Sequence, residues 1–331
     1  MPIKRFIDKI PGGMMIVPLF IGAIIRTIDP NMFDNTVLQS SFTGGLLSGT
    51  SALLGAFYVC LGSTIEFKAA GIILKKGITL WLGKVLFAAL VGLLIKLFAH
   101  DPNHLFLGLS ALAIVAAFSD TNGGMYMALL GQLGTAEEVA ACSIISLESG
   151  PFFTMLILGV VGLASFPFMS FVFVILPMLV GMILGNLDEE MRSFLSKGKD
   201  VLIPLFSLAL GCGINLTQVV KAGGTGIVLG LGVVVLTGAV MFILDKLTKG
   251  NGIAGLAASS TAGNASAVPV AVAATYVGYK GIAATATVQV AASVIVTAIL
   301  VPIITTGYAR IIRKRTTTSE NDVQHLAHVE G

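Results

Sequence analysis

Phe118-Ser119-Asp120-Thr121-Asn122-Gly123-Gly124 stands in the middle of an otherwise apolar stretch that runs from residue 105 to residue 133. Glycines and short polar side chains interrupt a helix, and an interruption inside a bilayer leaves backbone N–H and C=O groups without water to bond. Such backbone is tolerated only where neighbouring protein or a water-filled cavity supplies partners. A second stretch of this kind, Ser259-Ser260-Thr261-Ala262-Gly263-Asn264-Ala265-Ser266 with Pro269 just beyond, interrupts the apolar segment 252–277. Both breaks fall near mid-segment, and so near the bilayer midplane.

The remainder of the chain has the composition of a membrane protein. Of its 331 residues, 55% are hydrophobic and 11% charged, whereas soluble domains carry about a quarter charged residues. The 39 glycines and 11 prolines exclude a simple coiled coil, and the scarcity of long alternating strands argues against an outer-membrane barrel. A net charge of +3 is too small to point to a nucleic-acid partner. With about 20 apolar residues needed per crossing, ten stretches qualify: 12–28, 43–65, 77–98, 105–133, 138–163, 167–187, 199–216, 221–247, 252–277 and 281–311. The expected fold is an all-α polytopic membrane protein with ten transmembrane helices, the fourth and ninth discontinuous.

Charge distribution orients these helices. With ten crossings, fifteen of the twenty Lys and Arg residues fall on one side; Arg26, Lys96, Lys221 and Lys280 fall on the other, and Lys84 is left inside a helix. That bias predicts both termini in the cytoplasm. The loop around Glu137 and Glu138 is the one segment on that side without a basic residue. The N-terminal run MPIKRFIDKIPGGMM lacks a small-residue cleavage site and reads as the cytoplasmic flank of a retained first helix. Cys60, Cys142 and Cys212 lie in apolar stretches without ligand spacing and read as packing residues. His100, His104, His325 and His328 read as solvated, so neither a metal nor a cofactor is implied. The polar stretch from Thr316 onward lacks periodicity and is expected to be a disordered tail.

The two halves of the chain resemble each other. Ile16-Val17-Pro18-Leu19-Phe20-Ile21-Gly22-Ala23-Ile24 and Ile175-Leu176-Pro177-Met178-Leu179-Val180-Gly181-Met182-Ile183 both read I-x-P-x-x-x-G-x-I. Lys68-Ala69-Ala70-Gly71 matches Lys221-Ala222-Gly223-Gly224, and the two breaks align so that Asn122 coincides with Asn264. This predicts a first five-helix repeat over 1–163, a second over 164–312, and a cytoplasmic tail over 313–331. Five is odd, so the second repeat enters the membrane from the opposite side. Paired interrupted helices in inverted repeats point to the binding site of a secondary transporter. Their half-helix ends offer free N–H groups to anions and free C=O groups to cations.

Four motifs carry a resemblance to a known family: Ile10-Pro11-Gly12-Gly13-Met14, the break Phe118–Gly124, Ser146-Leu147-Glu148-Ser149-Gly150-Pro151, and Ser260-Thr261-Ala262-Gly263-Asn264. Over essentially residues 1–315 the chain resembles the 2-keto-3-deoxygluconate permease family of bacterial inner-membrane proton symporters. Those proteins are similar in plan to the bile-acid sodium symporter fold, with helices 4 and 9 unwound and crossing. The resemblance implies a core of helices 3–5 and 8–10 that moves against a panel of helices 1, 2, 6 and 7. It also implies a hydroxylated six-carbon keto acid as the small-molecule partner, with protons as coupling ion and membrane lipid around the chain.

Within this plan Asp120 is the first candidate for the proton, because intramembrane acids are expensive and mark ion pathways. A cap for the second half of helix 4 is its competing structural role. Glu148 is the second candidate, about ten residues and roughly 15 Å into helix 5. Desolvation favours its neutral form, which suits either reversible protonation or a permanently neutral tie between helices. Thr121, Asn122, Gly123, Gly124, Thr261, Gly263, Asn264 and Ser266 are the candidate substrate-binding residues, with neutral donors and acceptors suited to sugar hydroxyls. Gln289 joins them from a polar stripe in helix 10 made with Thr285, Ser293 and Thr297. Lys84 can meet a carboxylate or snorkel to the cytoplasmic face, and snorkelling is the favoured reading. Glu66, Asp245 and Arg26 read as interfacial.

Proton-coupled uptake of a sugar-acid anion by alternating access is therefore the leading expectation, with Asp120 and Glu148 carrying the proton. Sodium coupling is the alternative within the class, since Asn122, Glu148, Gln289 and carbonyls at the breaks can supply oxygen ligands. A channel fits two-state gating less well. An intramembrane enzyme using the carboxylate pair is the rival from another class, although no GxGD, HExxH or GxS-type segment accompanies it.

Overall fold

The computed structural model describes residues 2–7, 9, 13–66, 71–213 and 216–329. Ile10-Pro11-Gly12 of the N-terminal motif and Lys68-Ala69-Ala70 of the repeat match lie outside the described residues. The described chain is helical, with no strand among its elements. In order it forms α1 (Gly13–Ile28), α2 in two halves (Phe42–Ser48 and Thr50–Gly62), α3 (Gly71–Phe98), α4a (Ala111–Phe118), α4b (Gly123–Leu133), α5a (Glu137–Glu148) and α5b (Pro151–Val160). Then come α6 (Phe168–Leu187), α7 (Glu189–Gly211), α8 (Leu216–Gly232, π-helical Val233–Thr237 and Gly238–Leu247), α9a (Ile253–Ala257), α9b (Val268–Thr275) and α10 (Ala283–Val329). Among the described residues, four helices are long and apolar enough to cross a membrane, and six if the bent pairs of α2 and α5 each count as one span.

Each interruption has a local cause. Asn122 accepts the Met125 N–H through Oδ1 at 3.0 Å and so starts α4b as its N-cap. Pro269 lies in the first turn of α9b, where its missing N–H costs nothing. The sequence reading treats helix 5 as continuous, but the structure bends it by 60° between Glu148 and Pro151. Gly150 sits there at φ 102°, a conformation that other residues avoid, and Pro151 opens α5b. α2 is also bent, by 71° at Gly49.

Two ends differ from expectation. The seventh helix begins at Glu189 and not at residue 199, because Asp188 caps it by accepting the Glu190 N–H at 2.8 Å. The tail expected to be disordered is helical in its backbone as far as Val329. With no Gly or Pro between Ala309 and Val329, extending a helix already nucleated upstream adds one hydrogen bond per residue.

The helices fall into two groups by packing. α1, α2, α6 and α7 lie against one another, while α3, α4, α5, α8, α9 and α10 form the second group. Two close crossings hold the first group together, and they are alike. At one, Gly22 of α1 lies against the Leu208 carbonyl of α7 and Gly211 of α7 against the Leu19 carbonyl of α1. At the other, Gly181 of α6 meets the Val59 carbonyl of α2, and Gly62 of α2 meets the Met178 carbonyl of α6. A Cβ at any of the four would strike backbone, so only glycine allows the approach. The groups meet in an apolar seam where Leu19, Phe57, Met178 and Phe206 contact Leu147, Ala267 and Val288.

Candidate functional site

The breaks of α4 and α9 cross and satisfy each other's backbone. The Ala262 N–H donates to the Asp120 carbonyl at 3.0 Å, and the Asn122 N–H donates to Ser260 Oγ at 3.1 Å. In the other direction Thr261 Oγ1 donates to the Ala117 carbonyl at 3.1 Å and Thr121 Oγ1 to the Ala258 carbonyl at 3.4 Å. Buried backbone that no helix satisfies is thus paired across the crossover, as a dry interior requires.

Two carboxylates back this crossover, both fully buried. Asp120 does not cap α4b, since Asn122 does. It turns instead to the break in α5, accepting the Gly150 N–H at 3.3 Å and the Ser149 hydroxyl at 3.4 Å, and it takes a third bond from Asn264 Nδ2 at 3.1 Å. Glu148 reaches the other way, into the break of α4, where its Oε1 accepts the Thr121 N–H at 2.7 Å. Its Oε2 is buried with no hydrogen-bond partner. The two acids therefore tie three broken segments together at one point.

Lys84 overturns the snorkelling expectation. Its side chain is completely buried, and its ammonium donates to the Ala258 carbonyl at 3.1 Å and to the Ser260 carbonyl. Asp245, expected near the interface, is covered by protein. It is buried on α8, accepts the Gly252 N–H at 2.8 Å, and pairs with Lys76 of α3. Lys76 also reaches Glu138 at 3.2 Å, so the loop that has no basic residue of its own takes one from α3. Glu66 does lie at the surface, paired with Arg192 of α7 at 2.9 Å.

In front of the crossover lies a cavity of about 690 Å³, a size typical of small-molecule sites. Thr121, Asn122, Gly123, Gly124, Gly263 and Asn264 line it, as expected from the sequence. Thr261 and Ser266 do not reach it. Thr261 is held from behind by Ser293 Oγ at 2.9 Å and Thr297 Oγ1 at 3.1 Å, and Ser266 turns back to the Gly263 carbonyl at 2.8 Å. Gln289 lies apart from the crossover, with its Nε2 on the Gly108 carbonyl at 2.9 Å and on Thr225 Oγ1 at 3.0 Å. A periodic polar stripe identifies a helix face but not which of its members meets the break.

Sequence reasoning missed other residues of the lining. Ser146, Ser149, Ser143 and Thr64 line the cavity, which extends to Glu66, Lys199 and Asp200. Lys199 is its one Lys or Arg among the described residues. The signal that would have found it is the helix start Asp188-Glu189-Glu190, which carries Lys199 inside α7.

The 2-keto-3-deoxygluconate permease family model matches residues 4–314, which include every residue of the crossover and cavity. The chain belongs to the 2-keto-3-deoxygluconate permease family. A relative of that name from Bacillus subtilis is 44% identical over 319 residues, 95% of this chain and 96% of the relative. One from Enterobacter sp. is 48% identical over 314 residues, covering 94% of each chain. The 2-keto-3-deoxygluconate permease 1 of Salmonella typhimurium is 46% identical over 327 residues, 97% of this chain and all of the relative. Members of the family are permeases, and the reading as an intramembrane enzyme falls away.

Proposed function

We propose that this chain imports 2-keto-3-deoxygluconate across a bacterial inner membrane by proton symport. The substrate follows from the family and from the names of its relatives. The observation that carries the mechanism is the crossover itself: neutral Thr121, Asn122 and Asn264 face a cavity, while Asp120 and Glu148 stand one hydrogen bond behind them. Substrate hydroxyls bond the neutral groups and the free N–H groups of α4b receive the carboxylate. Lys199 adds a positive charge to the cavity lining.

In this reading α1–α10 are ten crossings arranged as two inverted repeats, 1–163 and 164–312, with both termini cytoplasmic. The paired crossings Gly22/Gly211 and Gly181/Gly62 support it, because α1 meets α7 in the same way that α6 meets α2. The cavity, running from the midplane to Glu66, Lys199 and Asp200, then corresponds to the inward-open state. Alternating access follows from sliding of the four-helix group against the six-helix group along their apolar seam.

The test is uptake of labelled 2-keto-3-deoxygluconate by proteoliposomes under an imposed pH gradient. A monoanion moving with one proton carries no net charge, whereas each net charge would respond to potential by about 2.3 kcal/mol per 100 mV. Accumulation should follow the pH gradient and ignore an imposed potential and the presence of sodium. Uptake driven by sodium alone would refute the proton reading, and uptake driven by potential would refute the one-proton ratio.

A further inference from the structure

Lys84 lies in α3, and its ammonium is held by the carbonyls of Ala258 and Ser260. These carbonyls belong to the C-terminal end of α9a and the break that follows it, where C=O groups lack intrahelical donors and the half-helix presents its negative pole. Glu148 and Asp120 are buried carboxylates at the same crossover, neither within 4 Å of this ammonium, and Glu148 Oε2 has no hydrogen-bond partner. Farther along α3, eight residues toward the end that carries Lys75, Asp245 of α8 is already matched by Lys76. Carbonyl oxygens at the end of a broken helix are the groups that unwound transporter helices offer to a small monovalent cation.

We infer that the Lys84 ammonium is a tethered cation that occupies the position a free sodium ion would otherwise take, and that it makes this transporter independent of sodium. The inference rests on the proton-symport reading above and deepens it. Charge counting supports it: one ammonium against two carboxylates leaves a single negative charge in a dry interior, and one proton neutralises it. Removing the ammonium leaves two negative charges and an empty cradle of carbonyls, a site for a proton and a free cation together.

The experiment compares wild type with Lys84→Met in proteoliposomes, in sodium chloride and in choline chloride at equal ionic strength and fixed pH. Thermal unfolding of the purified proteins is measured in the same two salts. Wild type should transport under a pH gradient alike in both salts and unfold at the same temperature in both. Lys84→Met should transport at least about tenfold faster in sodium and be stabilised by it, as a ligand that binds only the folded state requires. Wild type that needs sodium would overturn the symport reading itself. Wild type driven by protons beside a Lys84→Met protein indifferent to sodium in both assays would leave that reading intact and overturn the tethered cation. Should Lys84→Met fold poorly, it and Lys84→Gln are purified in each salt. Recovery in sodium and not in choline supports the inference, and failure of both variants in both salts refutes it, because sodium should replace the missing charge.

Discussion

Glu148 accepts the backbone N–H of Thr121 at 2.7 Å, so an acid on α5 holds the first residue after Asp120 in the break of α4. The bond couples the protonation state of Glu148 to the wall of the cavity, because Thr121 lines that cavity. An amide oxygen can accept the same N–H, so Glu148→Gln should keep the fold. Asp120→Asn with its amide oxygen in the place of Oδ2 still accepts from the Gly150 N–H and from Asn264 Nδ2, and the Ser149 hydroxyl can turn to accept from the new amide NH2. Both variants should lose accumulation driven by a pH gradient and retain exchange of internal for external substrate, measured by counterflow. Full accumulation by both would show that neither acid is the coupling site.

The buried pair of Asp245 and Lys76 anchors the start of α9a through the Gly252 N–H. Asp245→Ala leaves Lys76 its second partner, Glu138, but strips the buried Gly252 N–H of its acceptor, which costs about 1–3 kcal/mol. Asp245→Ala should therefore lower the unfolding temperature of the purified protein markedly. Exposed Glu66, paired with Arg192 at the surface, should cost less than about 1 kcal/mol on the same change.

The two glycine crossings should respond alike. Gly22→Ala forces a methyl into the backbone of α7, and Gly181→Ala forces one into the backbone of α2. Neither neighbour can turn aside as a side chain would, so each variant should lose about 1–3 kcal/mol. Gly55→Ala, which meets nothing within 4 Å, is the control in the same thermal-unfolding assay.

Lys199 is half-buried and lines the same cavity as the crossover residues. If it attracts the substrate carboxylate, Lys199→Ala should raise KM by up to about fivefold, the worth of a solvent-screened ion pair. The maximal rate should change little, and Lys199→Arg should restore most of the affinity. Initial rates of uptake against substrate concentration separate the two parameters.

Several of these features were legible without coordinates. The breaks at Ser119–Gly124 and Ser259–Ser266 were plain, because Gly and short polar residues cannot be mistaken for lipid-facing sequence. The kink at Gly150-Pro151 is written in an equally local code but lies inside an apolar run that masks it. The sequence places Asp245 two residues from the end of α8 and so gives its depth alone. Helix depth is a one-dimensional quantity, however, and it says nothing of Lys76 on α3 or of the Gly252 N–H waiting beside it.

By itself the sequence determined the class, the apolar segments, the family and the two polar breaks, since each depends on composition or on residues adjacent in the chain. Only the tertiary structure decided what the buried charges do. Lys84 has the same apolar neighbours in sequence whether its ammonium climbs to the interface or binds Ala258 and Ser260, residues more than 170 positions away. A charge stays in a dry interior when partners from distant segments meet it there. At this site α3, α4, α5 and α9 bring those partners to one point.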